Sequence, residues 1–129
     1  MANILLVDDE AGVRNSLAAY LTKCGHDVRL ASNGIEAMEA LKRAPVDVVV
    51  TDINMPDMDG IETVMALRDA ATGVGVIAMS GGGLFDKSLL LDSAGALGAD
   101  VTLEKPIDLD ELRTAIDALL GRKSPRVDE

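Results

Sequence analysis

Four segments of the chain place a reactive or charged side chain one or two residues after an apolar run of strand length. In chain order these side chains are Asp8 with Asp9, Asp52, Ser80 and Lys105. Carboxylates that lie close together repel one another unless a cation compensates their charge. Oxygen ligands and water suit Mg²⁺, while a hydroxyl and an ammonium can hold an anion. The set therefore indicates a pocket for an oxygen-rich, charged group beside a metal, and a phosphoryl group is the natural candidate.

The apolar pattern predicts the elements that position these side chains. Five short apolar runs are typical of strands. The predicted strands are Ile4–Val7, Val28–Leu30, Val46–Val50, Val74–Met79 and Val101–Leu103. Apolar residues at helical spacing between and after them predict five helices, so we expect a parallel α/β sheet covered on both faces. Because the carboxyl ends of parallel strands share one edge of a sheet, the four segments should meet there.

Capping residues predict where several helices begin and end. Asn33, Asp59 and Asp108 are each followed three residues later by Glu, which is a helix-start pattern. Gly25 and Gly121 are predicted helix stops. The residues predicted to lie on apolar helix faces include Cys24, Ile35 and Leu109.

Composition restricts the function classes. A chain of 129 residues that is 48% hydrophobic predicts one globular domain. Only 2% of residues are aromatic and the net charge is −10, so direct nucleic-acid binding is not expected, whereas a basic protein partner or a bound cation fits. The start MANILLVDDE has no basic flank, no run approaches transmembrane length, and Cys24 is the single cysteine. We therefore expect a cytoplasmic protein without membrane insertion.

The polar segments also resemble a known family. LLVDDE carries the acidic pair, DINMPDMDG runs from Asp52 to Gly60, MSG contains Ser80, and KP is Lys105–Pro106. From about Asn3 to Arg122 the chain resembles the response-regulator receiver domains of two-component signalling, chemotaxis regulators among them. The resemblance implies a flavodoxin-like, doubly wound five-stranded parallel sheet in the order 2-1-3-4-5 with five helices.

The same resemblance implies a phosphoacceptor and a metal site. Asp52 would accept a phosphoryl group from the phosphohistidine of a sensor histidine kinase or phosphotransfer protein. Asp9 and Asp52 would bind Mg²⁺ directly, with the backbone carbonyl of Asn54 as a third protein ligand and Asp8 acting mainly through water.

Further expectations follow from the family. Ser80 and Lys105 would contact the phosphoryl oxygens, and the peptide bond before Pro106 would be cis. Asn54 and Gly82 occupy the positions that tune hydrolysis of the phosphoryl group. The protein would be a switch that catalyses only its own phosphorylation and dephosphorylation, changing its affinity for an unidentified downstream protein. A phosphorylation-dependent dimer is a further expectation.

Two departures from the family pattern leave alternatives open. Thr102 stands where the family usually has Tyr or Phe, so the resemblance does not extend to the usual coupling with the face formed by the last two helices and the last strand. The run Gly81–Gly83 predicts a mobile loop. One alternative is an interaction module that signals without phosphorylation. Another is an aspartyl-nucleophile phosphohydrolase, although Asn54 stands where such enzymes carry a second acid. We expect a receiver domain over residues 1–121 and a disordered polar tail over residues 122–129.

Overall fold

The computed structural model describes residues 2–53, 73–80 and 99–123, which form a five-stranded sheet with helices on both faces. Its elements in chain order are β1 (Asn3–Val7), α1 (Ala11–Lys23), β2 (Asp27–Ala31), α2 (Gly34–Arg43), β3 (Val48–Asp52), β4 (Gly75–Ser80), β5 (Val101–Glu104) and α3 (Leu109–Lys123). All strand pairs are parallel, in the order β2-β1-β3-β4-β5. The predicted doubly wound fold is confirmed. No described helix is long and apolar enough to span a membrane.

The inner strands β1, β3 and β4 are apolar, except for Asn3 at the start of β1 and the polar residues at the ends of β3 and β4, because both of their faces are covered. Alternate residues of a strand point to opposite faces, so the inner strands contribute side chains to cores on both faces of the sheet. One core joins β1, β3 and β4 to α1 and α3, and includes Ile4, Leu6, Leu17, Leu21, Val48, Val50, Ile77, Met79, Leu112, Ile116 and Leu119. A second core packs β1, β2 and β3 against α2 and includes Leu5, Val7, Ala31, Ala37 and Val49. A third, smaller cluster contains Ile53, Val76 and Ala78.

Local hydrogen bonds explain where the helices begin and end. The Asn33 side chain accepts a hydrogen bond from the backbone N–H of Glu36 at 2.8 Å, and the Glu36 carboxylate accepts from the N–H and hydroxyl of Ser32 at 2.7 and 2.8 Å. The Asp108 carboxylate caps α3 in the same way. After α1, Gly25 adopts a φ of 95°, a conformation that favours glycine. These caps were predicted from the sequence.

The exposed edge of β2 is tied to the end of α2 by one arginine. The Arg29 guanidinium donates hydrogen bonds to the carbonyls of Ala40, Ala44 and Pro45 at 2.9, 2.8 and 3.2 Å. A cation at a helix carboxyl terminus satisfies carbonyls that have no partner within the helix. A charged side chain on an edge strand also discourages pairing with another chain.

Some helix predictions are wrong. Gly121 does not end α3, which continues to Lys123. Cys24, Ile35 and Leu109 are exposed instead of lying on apolar faces, and α2 buries the smaller Ala37. The predicted third and fourth helices, the Gly81–Gly83 loop and residues 124–129 of the predicted tail lie outside the described residues.

Candidate functional site

The sheet brings the predicted polar side chains to one edge. Asp52 and Ser80 are the last residues of β3 and β4, Asp8 directly follows β1, and Lys105 directly follows β5. The register aligns Asp52 with Met79 and Ser80 with Glu104, so neighbouring strands end at nearly the same level. Asp8 is 0% exposed and Asp52 3% exposed, and Ser80 is also buried. Polar groups buried in this way require partners or a bound ion.

Three carboxylates converge at this edge. Asp8, Asp9 and Asp52 each offer an oxygen, and these oxygens all lie within 4.8 Å of one another. Asp9 is exposed, which leaves an open side for water and incoming ligands. The Oδ2 atom of Asp8 is fully buried, and its partner among the described residues is the Lys105 ammonium. A hard divalent cation such as Mg²⁺ fits this oxygen-only set and would compensate the repulsion.

Lys105 lies among these carboxylates. Its Nζ is 2.8 Å from Asp8 Oδ2, 3.2 Å from Asp52 Oδ2 and 3.5 Å from Glu10 Oε1. Burial by itself lowers the pKa of the Lys105 ammonium, but the Asp8 and Asp52 carboxylates outweigh burial and raise that pKa above its ordinary value. Lys105 is therefore a fixed positive charge. One ammonium does not neutralise three carboxylates, so the described site retains a negative excess that a dication would offset.

Backbone contacts hold the loops that carry these groups. The Asp8 Oδ1 atom accepts the N–H of Glu10 at 2.9 Å, and the Arg14 guanidinium donates to the Asp8 carbonyl at 2.7 Å. The N–H of Lys105 donates to the Ser80 carbonyl at 2.7 Å, which joins the loop after β5 to the end of β4. The Lys105–Pro106 peptide bond is cis, as predicted. Both loops are thus fixed to the sheet.

An open groove of about 1060 Å³ leads away from the carboxylates, between the start of α1 and the loop before α3. Acidic side chains and Lys105 lie at one end of the groove, and the rest of its lining is largely apolar. The lining residues are Asp9, Glu10, Gly12, Val13, Ser16, Leu17, Asp52, Lys105, Pro106, Ile107 and Leu109. The exposure of Leu109 is explained by its place in this lining.

The structure brings together most of the predicted site and adds two residues. Asn54, the predicted carbonyl ligand, and Gly82 lie outside the described residues. Glu10 and Arg14 were not assigned a role from the sequence, although both contact the acidic loop. Glu10 directly follows the acidic pair and Arg14 comes one helical turn later, so a helix starting at residue 11 was the signal that could have identified them.

Comparisons with known proteins agree with this geometry. A family model described as "Response regulator receiver domain" matches residues 4–117. The chain is 34% identical to sporulation initiation phosphotransferase F of Bacillus subtilis (strain 168) over 121 residues, which cover 94% of this chain and 95% of that protein. It is 34% identical to the transcriptional regulatory protein GlrR of Escherichia coli (strain K12) over 128 residues, but spans only 28% of GlrR. It spans 52% of the response regulator MprA of Mycobacterium leprae (strain TN), at 37% identity.

The solved structures that this chain resembles are also receiver domains. A response regulator receiver domain protein from Clostridium thermocellum superposes with a TM-score of 0.88 at 28% identity, covering 95% of this chain and 97% of that one. The receiver domain of NtrX from Brucella abortus superposes with a TM-score of 0.85 at 28% identity, covering 92% and 98%.

Proposed function

This chain belongs to the response-regulator receiver family, and we propose that it is a signalling switch in which Asp52 accepts a phosphoryl group from a protein phosphohistidine. The observation that carries the proposal is the meeting of Asp52, its acidic neighbours and the Lys105 ammonium at one sheet edge, with Lys105 Nζ 3.2 Å from the Asp52 carboxylate. A nucleophile, a cation site and an anion-binding ammonium are the parts that phosphoryl transfer requires.

The chemistry assigns a role to each group. An Asp52 carboxylate oxygen attacks phosphorus, the phosphorus–nitrogen bond of the phosphohistidine breaks, and the imidazole leaves with the electron pair. Lys105 exchanges its carboxylate partners for the phosphoryl oxygens, and the Ser80 hydroxyl donates to another of these oxygens. Mg²⁺, held by Asp9 and Asp52 with the Asn54 carbonyl and with Asp8 through water, would supply charge neutralisation for the transferring group. Hydrolysis of the acyl phosphate resets the switch.

The groove beside Asp52 supports a protein donor. A phosphohistidine must approach Asp52 from its open side, and this side continues into the apolar lining formed by Val13, Leu17, Ile107 and Leu109. We propose that a helix of the histidine kinase or phosphotransfer protein packs on this lining. The acidic residues at the mouth of the groove and the net charge of −10 favour a basic donor surface.

Mass spectrometry of the intact protein tests the assignment. Incubation with acetyl phosphate and Mg²⁺ should add one phosphoryl group to the wild type, and EDTA should prevent the addition. Asp52→Asn should abolish labelling because the amide is not a nucleophile. Asp117→Asn, an exposed substitution on α3 with the same change in charge, serves as the matched control and should label like the wild type. Undiminished labelling of Asp52→Asn would refute the assignment.

The same experiment separates the alternatives. A wild-type protein that is not labelled by any donor would favour an interaction module that signals without phosphorylation. Turnover of an external phosphoester would favour a phosphohydrolase, whereas we propose that the protein acts only on its own phosphoryl group. We further propose a cytoplasmic location, a downstream protein partner and phosphorylation-dependent dimerisation. Thr102 is half-buried and pairs with Ala78 in the sheet. Because the family usually has an aromatic residue there, we propose that the transmission of the phosphorylation state to a partner differs from the family pattern at this position.

A further inference from the structure

Glu10 occupies a capping position without acting as a cap. It is the residue before α1, with an extended backbone, and its side chain makes no capping hydrogen bond. Its carboxylate instead lies 3.5 Å from Lys105 Nζ. Glutamate is not among the residues preferred at this position, so helix capping does not account for its presence there.

Hydrogen bonds hold the backbone of Glu10 in place, and they therefore determine the position of its Cα atom. The Glu10 N–H donates to Asp8 Oδ1 at 2.9 Å, and the Glu10 carbonyl accepts the first helical hydrogen bond, from Arg14, at 2.9 Å. The side chain is 64% exposed and lines the groove that leads to Asp52. A negative charge is therefore held at the mouth of the proposed phosphoacceptor site, in contact with the ammonium that would receive the phosphoryl oxygens.

We propose that Glu10 determines phosphodonor specificity by disfavouring small anionic donors and favouring a phosphohistidine presented on a basic protein surface. This inference rests on the proposed function of Asp52. Two physical effects support it. An anionic donor approaching Asp52 is repelled by the Glu10 carboxylate, and the same carboxylate competes with the donor's oxygens for Lys105. A basic donor surface can pair with Glu10, so the carboxylate that repels a small anionic donor attracts such a protein.

Two small phosphodonors of different charge provide the test. Acetyl phosphate is a dianion near neutral pH, and phosphoramidate is a monoanion. With either donor, an Asp52 oxygen forms a bond to phosphorus while the bond to acetate or ammonia breaks, and the leaving group takes the electron pair. Initial labelling rates would be compared for the wild type, Glu10→Gln and Glu39→Gln, each at Mg²⁺ concentrations that saturate that variant. Glu39 is exposed on α2, against the opposite face of the sheet, and gives the same change in net charge.

The expected effect depends on donor charge. Removing a unit charge roughly 8 Å from a dianion in water should raise the acetyl phosphate rate about sixfold, and the phosphoramidate rate about twofold. The gain should shrink in about 1 M salt, where the screening length falls to roughly 3 Å. Glu39→Gln should match the wild type with both donors.

Two outcomes would overturn the inference in distinguishable ways. Equal acetyl phosphate rates for Glu10→Gln and Glu39→Gln, or a slower rate for Glu10→Gln, would remove the role of Glu10 and leave Asp52 as the phosphoacceptor. A wild-type protein that neither donor labels would overturn the role of Glu10 together with the proposed function.

Discussion

Replacing Lys105 with Met should destabilise the metal-free protein. The substitution keeps a long apolar side chain but removes the ammonium that lies 2.8 Å from Asp8 and 3.2 Å from Asp52. Breaking a buried ion pair from one side costs about 3–5 kcal/mol. Because Lys105 retains 13% exposure beside an open groove, where water can partly solvate the remaining carboxylates, we expect a loss of about 3 kcal/mol.

The same substitution should tighten Mg²⁺ binding. Nζ lies 3.2 Å from the Asp52 carboxylate, and Mg²⁺ lies about 2.1 Å from an oxygen ligand, so a dication on that carboxylate would lie within roughly 5 Å of Nζ. Even with the dielectric constant of water, the repulsion is 332 × 2/(80 × 5), or about 1.7 kcal/mol. Since 1.4 kcal/mol corresponds to a factor of ten, removing the ammonium should lower the Mg²⁺ dissociation constant at least about tenfold.

Urea unfolding followed by circular dichroism, in EDTA and in Mg²⁺, would measure the stability change, and titration calorimetry would measure the affinity. Lys42→Met, which removes an exposed charge from α2, is the matched control and should change neither quantity appreciably. The stabilisation by Lys105 should be present below the ordinary lysine pKa and disappear as the pH rises through the raised pKa of the folded state. Unchanged stability in EDTA, or weaker Mg²⁺ binding by Lys105→Met, would refute this account of the site.

Two further predictions concern the scaffold. Hydrogen bonds from Ser32 lower the pKa of Glu36, so the stability difference between the wild type and Glu36→Gln should be present at neutral pH and vanish as the pH falls through that lowered pKa, as urea unfolding from pH 7 to pH 3 would measure. A difference that persists at the acidic end would contradict the capping role. Gly75→Ala should lose about 1–3 kcal/mol because its Cβ would lie 3.0 Å from Leu119 Cδ1, whereas Gly121→Ala, with open space inside α3, should gain about 0.5–1 kcal/mol. Thermal unfolding would measure the stability of both variants. A Gly75→Ala variant that is more stable than the wild type would contradict the prediction, because it would show that Leu119 moves aside at no cost.

Gly25 and Gly121 show why one of two helix ends was predicted wrongly. A glycine near the end of an apolar pattern is a local signal for a stop, and at Gly25 that signal was correct. At Gly121 the helix continues to Lys123. Leu112, Ile116 and Leu119 anchor α3 against the sheet, so tertiary packing outweighs the modest cost of one glycine in the last turn.

The sequence by itself determined the parallel sheet and the edge at which its polar residues collect. Continuous apolar runs between helical segments need burial on both faces, and carboxyl ends of parallel strands share an edge, so Asp8, Asp52, Ser80 and Lys105 had to converge.

Only the tertiary structure decided which of these groups touch and how deeply each is buried. Asp8 is buried and Asp9, the next residue, is exposed, although the sequence treats them as a pair. Lys105 contacts Asp52 and Glu10 across 53 and 95 residues of chain, and no local pattern specifies those distances. The spacing of apolar residues in helices and strands reflects interactions between residues that are close in sequence. The partners of a charged side chain depend instead on the positions of loops, and the packing of the whole sheet determines those positions.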